Sequence, residues 1–356
     1  YLEGGNAALS SQAAVASTPG ARPSGPGARL RSLLLSEYFV LGATAAYVAV
    51  MAPLAPEILA VDTWRDILAA MIPLLVVAVG QTFVLIIAGI DLSAPSILAM
   101  ASVMGAAAIT GDGGLLAGAA PWILVPLGVL AFLAVGGSVG AFNGACVARV
   151  GMPAFIVTLT TMMFFSGAAI WFTSAYTDSG SSIGNLPREF VLLGQGRVLG
   201  LPVSLLIAGA VVLAAHVVLS HTLYGRWLFA IGLNPRAAEV SGVPVRRVVF
   251  WAYVISGLCA GLAAVLYTGR LETGSPVLGQ RILLDIVGAA VIGGVSLFGG
   301  RGKVLWTVYG ALFLTVVDKG LSLLGLSLAS VFAVKGGVIL AAAIIDAQRQ
   351  RLVARA

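Results

Sequence analysis

The sequence predicts an all-α, polytopic membrane protein with about ten transmembrane helices. Of its 356 residues, 59% are hydrophobic and only 10% are charged, whereas a soluble domain carries about 25% charged residues. Apolar stretches recur from Tyr38 to Asp346, and most are close to the twenty or so residues that cross a hydrocarbon core of about 30 Å. A soluble fold of this length could not bury so much apolar surface.

Each predicted span is an apolar stretch bounded by polar, Gly or Pro residues. The third and eighth are short and flanked by Gly or Pro, so either is a candidate for a helix that crosses only in part. We predict a transmembrane domain over residues 37–347, a disordered cytoplasmic tail over 1–36 and a short tail over 348–356. The spans are 38–58, 67–89, 95–111, 121–147, 153–173, 203–220, 248–269, 283–298, 304–324 and 331–346.

Basic residues are distributed unevenly around the predicted spans. With the N-terminus in the cytoplasm, thirteen of the twenty Lys and Arg residues lie in inner segments and five in outer segments, while Lys319 and Lys335 lie within spans. Basic residues accumulate on the cytoplasmic side of membrane proteins, so both termini are expected there. The net charge of +6 has the same explanation, and no nucleic-acid partner is expected.

The inner loop 221–247 contains the signals of a short helix. Asn234 is a cap residue, Pro235 suits the first turn and Gly242 suits the position after the last turn. The helix is therefore predicted over Pro235 to Val240. A short helix held between two membrane helices is suited to receive motion from a cytoplasmic partner. An interfacial helix without that role would show the same capping signals, so this alternative stays open.

Three hydroxyl or carboxyl residues are candidates for lining a pathway. Asp91 lies between two apolar segments, where a carboxylate is costly and often functional, but a simple cap of the following helix is the favoured interpretation. Thr158 and Thr161 share a helix face, with Phe155 three residues before Thr158, and hydroxyls beside an aromatic ring suit a polyol. Threonine also bonds back to its own helix, so simple packing remains an alternative.

No motif in the sequence indicates catalysis, nucleotide binding or a metal site. Residues 296–304 lack the Gly and the Ser or Thr that a phosphate-binding loop requires. Cys146 and Cys259 have no metal spacing and are interpreted as small buried hydrophobic residues. Asp318 and Lys335 are expected to form an ion pair between two spans, and proton coupling through that pair is the alternative interpretation.

Four blocks resemble the permease subunits of bacterial ABC sugar importers of the ribose, xylose and galactose type. One departure is Ala94-Pro95, where Val-Gly is common in the family, and it concerns the local geometry after Asp91. The resemblance spans roughly residues 40 to 346 and rests on four blocks that occur in the same order as in the family. They are GQTFVLIIAGIDLSAPSILAM (80–100), ARVGMPAFIVTLTTMMFFSGAA (148–169), YGRWLFAIGLNPRAAEVSGVPVRRVVFWAYVISGLCAGLAAVL (224–266) and DIVGAAVIGGVSLFGGRGKVLWTVYGAL (285–312).

The resemblance implies a type II ABC importer permease fold, in which an inverted repeat relates helices two to five to helices seven to ten. It implies a subunit of a bacterial inner membrane importer for a monosaccharide, paired with a second permease copy or a related permease. A periplasmic substrate-binding protein would deliver the sugar. A tandem-cassette ATPase would hold ATP and Mg, so this chain is expected to be non-catalytic and to bind no cofactor. The inner helix then matches the coupling helix, with Asn234, Ala237, Ala238, Glu239 and Gly242 as its coupling residues.

Other functions are compatible with the same features. A permease of this family could carry a nucleoside, a polyol, a quorum-signal furanose or a branched-chain amino acid. A secondary transporter coupled to protons or sodium could use Asp91, or Asp318 with Lys335. A membrane enzyme is the third alternative, and the absence of a catalytic motif stands against it.

Overall fold

The computed structural model describes residues 38–177 and 180–353, so the predicted tail of residues 1–36 lies outside the described residues. Within the described ranges the all-α prediction is confirmed, because thirteen α-helices account for nearly all regular structure. In chain order these are α1 (Phe39–Met51), α2 (Val61–Ile86), α3 (Ala94–Ile109), α4 (Pro121–Ala145), α5 (Ala154–Tyr176), α6 (Arg188–Gln195), α7 (Val203–His221), α8 (Leu223–Leu233), α9 (Pro235–Val240), α10 (Val245–Leu271), α11 (Leu283–Gly293), α12 (Val304–Leu323) and α13 (Leu328–Val353).

Each of the ten predicted spans coincides with a helix, and six of these helices are long and apolar enough to cross a membrane. The six are α2, α4 together with the π-helical turn Cys146–Val150 that extends it, α5, α7, α10 and α12. The predicted third and eighth spans correspond to α3 and α11, which have 16 and 11 residues. At 1.5 Å per residue α11 is only about 16 Å long, so it covers about half of the hydrocarbon core.

Three segments differ from the sequence-based prediction. Helices α6 and α8 lie in segments predicted to be loops. Helix α13 continues to Val353, so residues 348–353 of the predicted C-terminal tail are helical. The segment after α6 also forms a short hairpin of β1 (Arg197–Val198) and β2 (Leu201–Pro202).

The helix contacts follow a two-fold pattern. Helices α2 and α10 pack on each other at the centre, α10 packs on α4, and α2 packs on α12. Helix α3 packs on α4 and α5, as α11 packs on α12 and α13, and α10 contacts α3 as α2 contacts α11. Exchanging α2–α5 for α10–α13 therefore leaves the pattern of contacts unchanged, as expected from a repeat of helices two to five and seven to ten.

Glycines bring α4 and α10 into close contact at the centre of the bundle. Gly136, Gly140 and Gly144 repeat every four residues on α4 and lie against the α10 backbone, including Gly257. A Cβ atom at Gly140 would lie 3.1 Å from the Cα of Val254, closer than real Cβ atoms normally approach. Small residues at such crossings allow helices to pack tightly in lipid.

The bundle has two ends that we name by the helices they carry. The α9 face holds α8, α9 and the turns after α2 and α11, which meet where the Gly300 N–H donates to the Ile86 carbonyl at 2.8 Å. The α6 face holds α6, the hairpin and the loops after α3 and α10. On this face Ile183 and Gly274 exchange two backbone hydrogen bonds, at 2.8 and 2.9 Å.

Candidate functional site

Helix α9 has the boundaries and caps that the sequence predicts. The Asn234 side-chain oxygen accepts hydrogen bonds from the backbone N–H groups of Arg236 and Ala237, each at 3.1 Å. At the other end Gly242 has φ +84°, and its N–H donates to the Glu239 carbonyl at 3.0 Å. The Val243 N–H donates to the Ala238 carbonyl at 3.0 Å, which completes a Schellman motif.

The exposed side of α9 combines small, acidic and apolar residues. Ala237 and Glu239 are exposed, and Val240 is 91% exposed. Leu233, just before the helix, is 74% exposed. Ala238 instead packs inside the protein at 4% exposure, because one side of the helix must lie against the apolar core. Of the predicted coupling residues, Ala238 is therefore the one that cannot contact a docked partner directly.

Helix α8 anchors α9 to the membrane-spanning part of the protein. The Tyr224 hydroxyl donates to the Val248 carbonyl of α10 at 3.1 Å, and burial raises the pKa of this phenol, so it remains a neutral donor. At the end of α8, Gly232 contacts the Ile86 carbonyl and the backbone of Gly300. The end of α8, next to α9, therefore lies directly against the end of α2 and the turn after α11.

Asp91, in the turn between α2 and α3, is completely buried, and both oxygens of its carboxylate accept hydrogen bonds. One oxygen accepts from the Ser93 N–H at 2.9 Å and from the Ser93 hydroxyl at 2.6 Å. The other accepts from the Ser256 hydroxyl of α10 at 2.7 Å. The Gln81 amide, oriented to satisfy both bonds, pairs with the Asp91 backbone at 3.0 and 3.2 Å. These contacts hold the turn between α2 and α3 against α10.

The same network extends through α4 to α5. The Asn143 side-chain nitrogen donates to the Ser93 hydroxyl at 2.8 Å, and the Thr161 hydroxyl donates to the Asn143 side-chain oxygen at 2.8 Å. All its members have exposures of 4% or less. We call this set the Asp91 network; it consists of Gln81, Asp91, Ser93, Asn143, Thr161 and Ser256, and it links four membrane helices.

The candidate residues on α5 divide between its two sides. Thr158 is buried, and its hydroxyl bonds to the Ala154 carbonyl at 2.9 Å and to the Ile90 carbonyl at 3.2 Å. Thr161 is also buried, whereas Phe155 is 55% exposed. The structure therefore groups the two threonines with Asp91 and places Phe155 on the outer surface of the helix.

A charged cluster joins α11, α12 and α13 in the second repeat. The Lys335 ammonium of α13 lies 2.7 Å from Asp285 of α11 and 3.3 Å from Asp318 of α12. The predicted pair of Asp318 and Lys335 is confirmed, but Asp285, which was not predicted, is the nearer and more buried partner. Lys319 pairs separately with Asp66 of α2 at 2.8 Å.

Sequence reasoning missed several residues of these clusters. Gln81, Asn143 and Asp285 are each polar residues inside or at the start of an otherwise apolar span, which is the signal that could have identified them. Ser256 carries no such signal, because serine is common in membrane helices. Among the described residues no group of three or more His, Cys, Asp or Glu side chains could hold a metal ion.

The chain matches a known family of transport proteins over most of its length. Residues 64–343 match the family described as branched-chain amino acid transport system / permease component. The chain is 35% identical to ribose import permease protein RbsC of Escherichia coli (strain K12) over 303 residues, which cover 85% of this chain and 91% of that protein. No solved structure matches it.

Two further relatives are named for other sugars. The chain is 32% identical over 310 residues to D-allose transport system permease protein AlsC of Escherichia coli (strain K12), covering 87% of this chain and 90% of that protein. It is 34% identical over 276 residues to fructose import permease protein FrcC of Rhizobium meliloti, covering 76% and 74%.

Proposed function

Since this chain belongs to the permease family described as branched-chain amino acid transport system / permease component, we propose that it is the membrane-spanning permease subunit of an ABC importer for a monosaccharide. The curated relatives named above carry ribose, allose and fructose in their names, which favours a sugar. The family description, which names branched-chain amino acids, makes those solutes the second candidate.

The observation that carries the proposal is helix α9. It is capped at both ends and exposes Val240. The preceding helix α8 ends with Gly232, which contacts Ile86 of α2, and with the exposed Leu233. A protein partner that covers these two side chains would remove their apolar surface from water. We assign the α9 face to the cytoplasm and infer that a separate ATPase, holding ATP and Mg, docks on it. ATP-driven movement of that subunit would displace α9 and the end of α2 together.

The pathway is proposed to lie beside α5, against a second permease copy or a related permease. Beyond Phe155, an apolar surface continues along this helix, where Met163, Phe164 and Trp171 are each about 70% exposed. Phe155 would face the pathway. Thr158, Thr161 and Asp91, which are buried behind it in this conformation, would hold its wall in place.

The opposite end is proposed to receive a periplasmic binding protein. A cavity of about 460 Å³ opens there between α2, α6 and the hairpin, with Arg65, Gln195 and Arg270 among its lining residues. Its charged rim suits a transient protein contact. In this arrangement the chain itself catalyses no reaction and acts only as the conduit.

The proposal is tested by uptake into vesicles that contain this permease, its ATPase and its binding protein. We expect concentrative uptake of labelled ribose, allose or fructose that requires all three proteins and ATP. Uptake of leucine in place of the sugars would favour the amino acid alternative. Uptake driven by a proton or sodium gradient without the ATPase would contradict an ABC mechanism.

A matched pair of substitutions tests the assignment of α9. Val240→Arg places a charge on the proposed docking surface and does not weaken the helix, because a cation is favourable near a helix C-terminus. It should reduce co-purification of the ATPase at least tenfold. Leu115→Arg changes a residue that is also 91% exposed but lies in the loop after α3 on the α6 face, and it should leave co-purification unchanged. Equal effects would contradict the assignment.

A further inference from the structure

A basic cleft lies on the α9 face between the end of α4 and the start of α10. Its volume is about 550 Å³, and it is lined by Arg149, Arg246, Arg247, Phe250 and Trp251. All three arginines are exposed. No carboxylate among the described residues lies within 4.0 Å of any of them. The cleft therefore brings together three positive charges without an anionic partner from the described part of the chain.

The backbone adds to this positive potential. Arg246 and Arg247 occupy the first turn of α10, which begins at Val245. The N-terminus of a helix carries a partial positive charge and favours anions, so two cations at this position repel it as well as each other. An anion bound in the cleft would relieve both repulsions.

The other wall of the cleft is aromatic. The Arg149 guanidinium lies 5.5 Å from the centre of the Phe250 ring, and the Phe250 and Trp251 rings meet edge to face at 5.5 Å. Trp251 is 54% exposed and lies five residues after Arg246, about 7 to 8 Å further along the helix. Tryptophan is enriched at membrane interfaces, where headgroups give way to acyl chains.

We propose that this cleft binds an anionic phospholipid of the phosphatidylglycerol class. The three arginines hold the headgroup phosphate through charge-assisted hydrogen bonds, and an acyl chain lies along Phe250 and Trp251. Basic pockets between membrane helices recognise anionic headgroups in this way. The exposed aromatic wall favours a lipid over the proposed ATPase as the occupant, because a soluble partner has no acyl chain to cover Trp251.

The purified permease is mixed with phosphatidylglycerol or with phosphatidylcholine. Native mass spectrometry then measures how many lipid molecules remain bound to it. Phosphatidylglycerol should be retained in preference to phosphatidylcholine. Combining Arg149→Gln, Arg246→Gln and Arg247→Gln should remove that preference, since each arginine contributes about a fivefold change in affinity. The matched control combines Arg226→Gln, Arg236→Gln and Arg301→Gln, which remove three exposed charges of the α9 face outside the cleft, and should retain it.

Other results overturn the proposal. Equal retention of the two lipids by the unmodified protein, or an equal loss in both triple variants, would mean that the cleft does not recognise a phosphate specifically. If the cleft variant does not fold, the single change Arg149→Gln gives the same test and should lower affinity about fivefold. Loss of ATPase co-purification in a cleft variant that still retains phosphatidylglycerol would assign the cleft to the ATPase instead.

Discussion

Thr161 and Lys335 occupy corresponding places in the two repeats. Each is the eighth residue of its helix, α5 or α13, and each donates to an acceptor on a neighbouring helix. Thr161 donates to Asn143 at 2.8 Å, and Lys335 donates to Asp285 at 2.7 Å. One repeat is thus held together by hydrogen bonds among hydroxyl, amide and carboxylate groups, and the other by ion pairs.

Replacing Thr161 should cost more stability than replacing Thr158. Thr161→Val leaves the buried Asn143 oxygen without a donor, which costs about 1–3 kcal/mol. Thr158→Val removes a hydroxyl that mainly bonds back to its own helix, and its cost should stay below about 1 kcal/mol. The free energies of unfolding in detergent provide the measurement, and Thr161→Ser, which keeps the hydroxyl, should remain close to the unmodified protein. Equal costs for the two valine variants would contradict the Asp91 network.

Removing Lys335 should destabilise the protein strongly. Lys335→Met leaves Asp285 and Asp318 without their cation, which costs about 3–5 kcal/mol for a buried pair. Adding Asp285→Asn to this variant should recover part of the loss. Lys319→Met is the control, since its pair with Asp66 is more exposed and contributes about 0–1 kcal/mol. Similar unfolding free energies for the two methionine variants would show that the Lys335 cluster carries no special stability.

Asp91→Asn separates the two roles left open for this residue. An amide keeps the size of the side chain, but its NH₂ group cannot accept the bonds that one carboxylate oxygen accepts, and about 1–3 kcal/mol of stability should be lost. We expect the KM for sugar uptake to be unchanged for the folded fraction, because Asp91 has no exposed surface. A raised KM with unchanged stability would place Asp91 in contact with the solute.

A larger side chain at Gly140 should prevent α4 and α10 from packing. Gly140→Leu forces the two backbones apart, and overpacking of this kind costs about 1–3 kcal/mol or more. Gly167→Leu on α5 is the matched control, because a Cβ atom there would meet nothing within 4 Å. Gel filtration and thermal unfolding should show a reduced folded yield only for the first variant.

Asn234→Ala should loosen α9 without unfolding the bundle. Loss of a helix cap costs about 1 kcal/mol, and here it falls on a six-residue helix. Faster hydrogen exchange over residues 235–240 and fewer sugars imported per ATP hydrolysed are expected. Ser241→Ala removes only a bond from the Ser241 hydroxyl to the Ala237 carbonyl of its own helix and should change neither measurement.

The sequence predicts best those parts of the fold that depend on local chemistry. Helix α9 was predicted with correct ends because Asn234, Pro235 and Gly242 each act on the backbone next to them. The positions of the ten helices that coincide with predicted spans follow from the apolar stretches alone, and six of these helices are long enough to cross a membrane. By contrast, α8 was missed because its apolar residues lie in a loop that also carries charges, and α6 because it has only eight residues.

The contacts of the candidate site could be predicted only in part, because they join distant segments. Asp91 stands out in the sequence, yet its partner Ser256 is 165 residues away and carries no signal of its own. Helix periodicity placed Phe155 near Thr158, but the packing of α3 and α4 on one side of α5 left Phe155 on the other. The nearer partner of Lys335 was missed for the same reason.

The short length of α11 has a consequence for how the protein is made. A segment of about 16 Å cannot enter the bilayer independently, since the turn that follows would leave peptide groups among lipid tails. In the finished molecule those groups have partners, such as the bond from the Gly300 N–H to the Ile86 carbonyl. The turn after α11 can therefore complete its backbone hydrogen bonds only when the end of α2, which is synthesised earlier, is in place to supply the Ile86 carbonyl.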